Sequence, residues 1–283
     1  MTIHSTDHRY ASRSEGDLWL TVYRQDVPTL AILVYFHGGG WAAGDRTAFN
    51  LESRVLPLTA DGIVVVSADY RLSGAAVWPA QLQDAGDVIE WVADSIESAP
   101  IFVSGASAGG HLAGLVGLGA WERLVGRPHQ RRAAGVITYA AVTDPLQWDT
   151  ERLNAPLPLP GTFAHWSYTQ RGQWPPRRLG HQLLDGADTR ISPRLANHVD
   201  TDPPAFVIIH GDRDTCVSHR EAVELFDVLS SRGGEAFLLE IAGADHEDPA
   251  FDTPLVRALI TTFIHTHSAA HPDADQAANR TDD

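Results

Sequence analysis

Seven short runs of large apolar residues recur along the chain, with longer amphipathic stretches between most of them. Leu18–Arg24 (LWLTVYR) alternates apolar and polar residues. Leu30–Phe36 (LAILVYF), Gly62–Ala68 (GIVVVSA), Pro100–Gly105 (PIFVSG), Ala134–Ala140 (AGVITYA), Pro204–Gly211 (PAFVIIHG) and Ala236–Ala242 (AFLLEIA) are for the most part continuous. An alternating run suits an antiparallel strand with one wet face. Continuous β-branched runs suit strands covered by helices on both faces. The stretches Thr47–Thr59, Pro79–Ser95, Ala108–Trp121, His219–Arg232 and Pro254–His267 read as helices. Strand alternating with helix in this way predicts an α/β architecture with a mostly parallel, doubly wound sheet.

Two segments break that rhythm. Asp144–Pro204 contains no strand-like run but holds many prolines and the aromatics Trp148, Phe163, Trp166, Tyr168 and Trp174. A stretch of this length inside a compact domain is functional or carries local structure of its own. It reads as a cap or lid over the sheet edge, the alternative being an insertion with no role toward a substrate. The last residues, 268–283 (SAAHPDADQAANRTDD), are polar, acidic and small, and read as a disordered tail. The expected organisation is therefore a single domain over residues 1–267, with the cap inserted at about 144–204.

At 283 residues, one large domain is the default. No stretch reaches the roughly 20 apolar residues that a membrane helix needs. Met1–Asp17 carries no apolar core of a secretory signal, so a cytoplasmic location is expected. The net charge of −15 argues against a nucleic-acid partner and against an anionic membrane surface. All 21 cations are arginines, which excludes any chemistry that needs a lysine, such as a Schiff base or a phosphate-binding P-loop. The single cysteine, Cys216, excludes an internal disulfide and a cysteine-based zinc site.

Two motifs carry chemistry. The run Pro100–Gly105 leads into Gly105-Ala106-Ser107-Ala108-Gly109, after which a helix begins. This is G-x-S-x-G between a strand and a helix. A hydroxyl projects there from a sharp turn, and the helix N-terminus places positive partial charge beside it. The pentapeptide alone is a weak signal, since about one chain in ten of this length carries it by chance; its strand–turn–helix setting is what gives it weight. The second motif, His37-Gly38-Gly39-Gly40-Trp41, follows the run Leu30–Phe36. Glycine is costly to order, so three in succession at a strand end ask for a reason beyond flexibility.

Together with SADYRL, PAQLQDA, HGDRDTCV and GADH, which follow in order, these motifs make the chain resemble an α/β-hydrolase. More narrowly, it is similar to the short carboxylesterases with an H-G-G-G-W oxyanion loop, related to the hormone-sensitive-lipase group and the BD-FAE family. The likeness runs from about Leu18 to His267 and is weak in Asp144–Pro204. It implies an α/β-hydrolase fold with a mostly parallel eight-stranded sheet, helices on both faces and a small cap insertion. It also implies a reason for the glycines. A tetrahedral intermediate needs backbone N–H donors aimed at its oxyanion, with no side chain in the way. The implied donors are Gly39, Gly40 and Ala108. His37 is expected to order the loop by hydrogen bonds, and Trp41 to pack beneath it.

In this fold the triad order is serine, acid, histidine. Of 14 histidines, His246 lies just beyond the last strand in a Gly/Ala/Asp turn and is the expected base. His111 sits one turn into the helix after Ser107 and reads as a packing histidine; His210 ends a strand and reads as support for the turn there. The family pattern puts the acid at Asp214, with Asp212 as the alternative, a turn aspartate capping nearby amides. Cys216 reads as a small buried filler, and Asp69 with Arg71 as a structural pair near the oxyanion loop. The implied reaction is hydrolysis of a small ester through an acyl-enzyme, with no metal and no cofactor. Rival readings are an amidase similar to kynurenine formamidase, which often carries tyrosine where Gly40 stands, and a non-catalytic ligand-binding protein on the same scaffold. The expected partner is a small-molecule ester, with room left for a homodimer through the last strand or helix.

Overall fold

In the computed structural model, residues 2–47, 50–154, 159–166, 178–188 and 191–269 are described. The seven apolar runs lie in one eight-stranded sheet: β2 (Gly16–Arg24), β3 (Ala31–Phe36), β4 (Ile63–Ala68), β5 (Ile101–Ala106), β6 (Ala133–Tyr139), β7 (Ala205–Gly211) and β8 (Ala236–Ile241). The eighth strand, β1 (His4–Arg13), has no counterpart in the hydrophobic pattern. It is an outer strand paired antiparallel with β2, and most of its side chains face water. Polar and charged residues on an outer strand discourage pairing with other chains, and they also erase the alternation by which a strand is recognised.

The strand order is β1-β2-β4-β3-β5-β6-β7-β8. β2 pairs antiparallel with β4, and every pairing from β4 onward is parallel. β3, β4 and β5 are buried along their whole length, as continuous apolar runs require. One core covers the face under α2 (Ala80–Ser95), α3 (Ala108–Gly117) and α7 (His219–Ser231), with Val88, Leu112 and Leu225 packed onto Val34, Val66 and Val103. A second core covers the other face, where Leu51, Leu58, Val256 and Ile260 meet Leu33, Val65 and Ile137. Burying each such aliphatic side chain stabilises the fold by about 1.5–3 kcal/mol relative to leaving it in water.

Three expected helices differ in extent. Thr47–Thr59 becomes α1 (Leu51–Arg54) followed by a 3₁₀ turn, Leu56–Asp61, because Pro57 has no N–H with which to continue a helix. Ala108–Trp121 is split into α3 and α4 (Ala120–Val125) at Gly119, whose φ of 73° lies in the left-handed region that ends helices. The last helix, α8 (Pro254–Ala269), runs two residues beyond His267, so residues 268 and 269 are helical rather than tail. The remainder of the expected tail, 270–283, lies outside the described residues. Within 144–204 the described residues form helices and turns, chiefly α5 (Pro145–Asn154) and α6 (Leu179–Leu184), with no strand among them.

Candidate active site

The chain leaves β3 toward β4 on one side and leaves β5 toward β6 on the other. This is the point of an open parallel sheet where a crevice forms at the strand ends. Phe36 stands opposite Gly105 in the register of β3 and β5. The residues that follow, His37–Gly40 and Ser107, are therefore set side by side. Ser107 has φ 55° and ψ −119°, a backbone conformation that L-residues seldom adopt. The flanking glycines are sterically required. A Cβ on Gly105 would stand 2.4 Å from the carbonyl carbon of Gly109, and one on Gly109 would stand 2.0 Å from the carbonyl oxygen of Phe36. Ser107 N–H donates to Tyr139 O at 2.8 Å, which ties the turn to β6. Ala108 opens α3, so its N–H is one of the first-turn amides with no acceptor inside the helix.

The glycine loop after β3 is fixed rather than flexible. Gly39 has φ 123° and Gly40 φ 61°. A Cβ on Gly39 would collide with Ala43 O at 2.1 Å, and one on Gly40 with Leu179 Cδ1 at 2.5 Å. The amides of Ala42 and Ala43 donate to Gly39 O at 3.2 Å, closing the turn. His37 ties the loop by a hydrogen bond, as expected. Its Nδ1–H donates to Gly38 O at 2.8 Å, and its ring stacks on Tyr70 with centroids 4.2 Å apart. Tyr70 Oη donates to His37 O at 2.9 Å. Burial holds His37 below its ordinary value, which keeps it uncharged. Trp41 is wholly buried, packed edge-on to His111 and Trp148.

Asp214 and His246 meet across the loops after β7 and β8. His246 Nδ1–H donates to Asp214 Oδ2 at 2.7 Å, and the amides of Cys216 and Val217 donate to Asp214 Oδ1, each at 2.8 Å. His210 Nε2 stands 3.1 Å from Asp214 Oδ2 and also 3.1 Å from Val217 O, a support role as expected. Burial works to raise Asp214, but His246 and His210 outweigh it and hold its carboxyl well below the usual carboxylate range. Burial works to lower His246, but the Asp214 carboxylate outweighs it and raises the imidazole above its ordinary value. With Nδ1 committed to Asp214, Nε2 is the nitrogen left to accept a proton. Asp212 instead accepts the Gly243 amide at 2.6 Å, the turn-capping alternative. His111 is buried, with Nε2 2.6 Å from Pro193 O, and burial lowers it to about 4.

Ser107 and His246 line one cavity of about 290 Å³ with Gly38, Gly39 and Gly40. Its far wall comes from the 144–204 segment, with Trp148, Phe163, Trp166 and Leu179. Trp148 Nε1–H donates to Cys216 O at 2.8 Å, and the Phe163 ring stands 4.9 Å from the His246 ring. Phe163 N–H donates to Asp245 Oδ2 at 2.7 Å, while Asp245 Oδ1 accepts from Thr215 and from the His246 amide. Tyr168 and Trp174 lie outside the described residues. Cys216 is half-buried and lines the cavity, so it is a wall residue rather than core filler. Asp69 and Arg71 do not pair with each other. Asp69 takes Arg46 at 3.0 Å and Arg71 takes the buried Asp84 at 2.8 Å, so each charge is met by a different partner. Leu179, Asn50 and Glu247, also in the cavity wall, went unrecognised in the sequence. Only Glu247 carried a signal, as the neighbour of His246. Among the described residues no helix is long and apolar enough to cross a membrane, and no cluster of three or more His, Cys, Asp or Glu is arranged to hold a metal ion.

A parallel-rich eight-stranded sheet, a left-handed serine turn after its central strand and an acid–histidine pair on the loops beyond define the α/β-hydrolase fold. Solved structures agree. Esterase B from Lactobacillus Rhamnosis superposes with a TM-score of 0.74 at 20% identity over 98% of this chain and 89% of that one. A truncated carbohydrate esterase from gut microbiota superposes with a TM-score of 0.71 at 22% identity over 95% and 97%. At such identities the likeness is one of fold. The chain belongs to the BD-FAE family, whose model matches residues 17–229. It is similar to the esterase LipC of Mycobacterium tuberculosis, 26% identical over 81% of this chain and 56% of that protein. It is also similar to an ethyl acetate hydrolase of Pseudomonas putida, 27% identical over 86% and 74%. Carboxylesterase NlhH of M. tuberculosis is 34% identical over 35% of this chain. The chain spans 31% of the length of NlhH and 56% of that of LipC.

Proposed function

We propose that this chain is a carboxylesterase in which Ser107, His246 and Asp214 form a catalytic triad. The observation that carries the reading is the 2.7 Å Asp214–His246 hydrogen bond, made at a cavity that Ser107 also lines. His246 Nε2 takes the Ser107 hydroxyl proton as Oγ attacks the ester carbonyl carbon. The carbonyl oxygen becomes an oxyanion facing the amides of Gly39, Gly40 and Ala108. The tetrahedral intermediate collapses, the C–O bond to the alcohol breaks, and the alcohol leaves with the proton from His246. Water then attacks the acyl-enzyme by the same route and frees the acid. Asp214 keeps its charge throughout, fixing the imidazole tautomer and stabilising the imidazolium. Burial and two histidine contacts suit it to that task.

The cavity bounded by the described residues measures about 290 Å³, near the lower end of the roughly 300–1,000 Å³ range of small-molecule sites. That favours esters with a short acyl chain. The aromatic wall of Trp148, Phe163 and Trp166 favours an apolar group on one side of the ester. Turnover of p-nitrophenyl esters from acetate to dodecanoate, with Ser107→Ala as control, tests both points. Short esters should react and the variant should not. Rapid turnover of the longest chains alone refutes the size assignment, and activity retained in Ser107→Ala refutes the triad.

A further inference from the structure

Glu247, the residue that follows His246, has φ 56°, in the left-handed region that non-glycine residues seldom enter. Its carboxylate is nearly buried and held from below. Oε2 accepts Arg54 Nη1–H at 2.6 Å and Asn50 Nδ2–H at 2.7 Å. The Arg54 side chain is 0% exposed and also donates from Nε to Asp252 at 2.7 Å. Its guanidinium lies 4.6 Å from the Tyr139 ring centroid and 5.6 Å from that of Phe251. Asn50 is fixed in turn by Tyr35, whose hydroxyl donates to Asn50 Oδ1 at 3.2 Å. The other carboxylate oxygen faces the site. Glu247 Oε1 and Ser107 Cβ are each 3.4 Å from the point where a Cβ on Gly38 would stand.

A buried arginine is expensive to desolvate, and removing one member of a buried pair leaves the other charge uncompensated. Asp252 already supplies one counter-charge to Arg54. The second comes from the loop of the base, in a backbone conformation that the chain would otherwise leave. The pair also neutralises a carboxylate beside the oxyanion loop, where an unpaired negative charge would oppose the one that develops on the substrate. We propose that Glu247 is a positioning residue for His246: its ion pair with Arg54 holds the 245–248 turn in the geometry that aims the imidazole at Ser107. This rests on the reading of Ser107 and His246 given above.

The test uses the full chain with Glu247→Ala, Glu247→Gln and Glu247→Gly beside Ser107→Ala, on a short p-nitrophenyl ester. Rates of the wild type and the Glu247 variants are normalised to active sites titrated with a fluorophosphonate, and that of Ser107→Ala to protein concentration. Glu247→Ala should lower kcat by on the order of 10- to 100-fold, as expected for a misaimed group, with KM within about twofold. Glu247→Gln keeps an acceptor for Asn50 without the charge and should fall between. Glu247→Gly relaxes the backbone without the tether and should remain as slow as the alanine variant.

The groups facing His246 are Asp214 from the loop after β7, Asp245 and Glu247 from its own loop, and the uncharged Phe163 ring from the 144–204 segment. His210 lies behind Asp214, and Arg54 behind Glu247. Loss of the Glu247 charge removes one of the carboxylates that favour the imidazolium. The acid limb of the kcat/KM profile should therefore move to lower pH in all three variants, a shift that a purely structural role would not produce. Wild-type kcat in Glu247→Ala and Glu247→Gln overturns the proposal even where the acid limb moves, since a charge effect alone does that, and full activity in Glu247→Gly overturns it as well. Those results beside an inactive Ser107→Ala leave the triad reading intact; activity in Ser107→Ala defeats that reading instead.

Discussion

One wall of the cavity is made of backbone and the other of side chains. On the sheet side, Gly39, Gly105 and Gly109 lie so close to neighbouring backbone that a Cβ has no space. Contacts of 2.0–2.5 Å would arise at Gly39, Gly40, Gly105 and Gly109. On the 144–204 side, Trp148, Phe163 and Leu179 reach in from helices and turns tied down by a few hydrogen bonds. Each wall also has a buried carboxyl at its root. Asp214 anchors the loop that carries His246, while Glu221 accepts the Thr143 amide at 2.5 Å and the Asp144 amide at 3.3 Å, where the 144–204 segment begins. The two carboxyls lie seven positions apart and are shifted in opposite directions. Asp214 faces two histidines and stays ionised. Among the described residues the donors to Glu221 are neutral, and burial pushes it up to about 8. Burial alone does not set the charge of a carboxyl; the groups it faces decide as well.

The strongest way to break this contrast is Asp214→Asn, which keeps the shape and removes the charge. A drop in kcat on the order of 10⁴-fold is expected from the loss of tautomer control. The Asp214 contribution to stability is present above the ordinary carboxylate range and is lost as pH falls, because its folded value lies below its unfolded one. The variant should therefore melt below the wild type at pH 7, with the gap closing in acid, as read by calorimetry. Next comes Gly39→Ala. Its Cβ meets Ala43 O and its φ of 123° is unfavourable, so the loop must move. Losing one oxyanion donor should lower kcat about 10²–10³-fold, with KM little changed. Phe163→Ala, on the side-chain wall, should act mainly on KM and raise it severalfold for the largest ester accepted, since apolar contact in a pocket is worth about 1–3 kcal/mol. If Phe163→Ala costs as much kcat as Gly39→Ala, the two walls are not distinct in role.

The smallest effect should come from Glu221→Gln. The unfolded glutamate ionises near 4.5 and the folded one at about 8. Between those values the unfolded state gives up a proton that the folded state keeps, so wild-type stability falls as pH rises through the window. Glutamine removes that loss. The melting temperature of the variant, relative to the wild type, should rise from pH 5 to pH 8 by about 2–4 °C for each kcal/mol recovered. A difference that does not depend on pH would mean that Glu221 is ionised in the folded protein.

The parallel sheet, the serine turn and the glycine loop were legible in the residues. Each rests on a local rule: continuous apolar runs for covered strands, and glycine wherever backbone meets backbone. β1 was not legible, because a wet outer strand needs no hydrophobic alternation. Asp212 and Asp214 were two candidates until folding brought one of them to 2.7 Å from His246. Arg46 with Asp69, Arg71 with Asp84 and Arg54 with Glu247 join residues between 13 and 193 positions apart. No periodicity encodes such pairings, because they depend on which strand ends become neighbours. The sequence by itself determined the class of fold and the chemistry its strand ends can carry. Tertiary structure alone decided which charges meet, since a charge selects its partner by distance in space, and that distance is set by the sheet order and not by spacing along the chain.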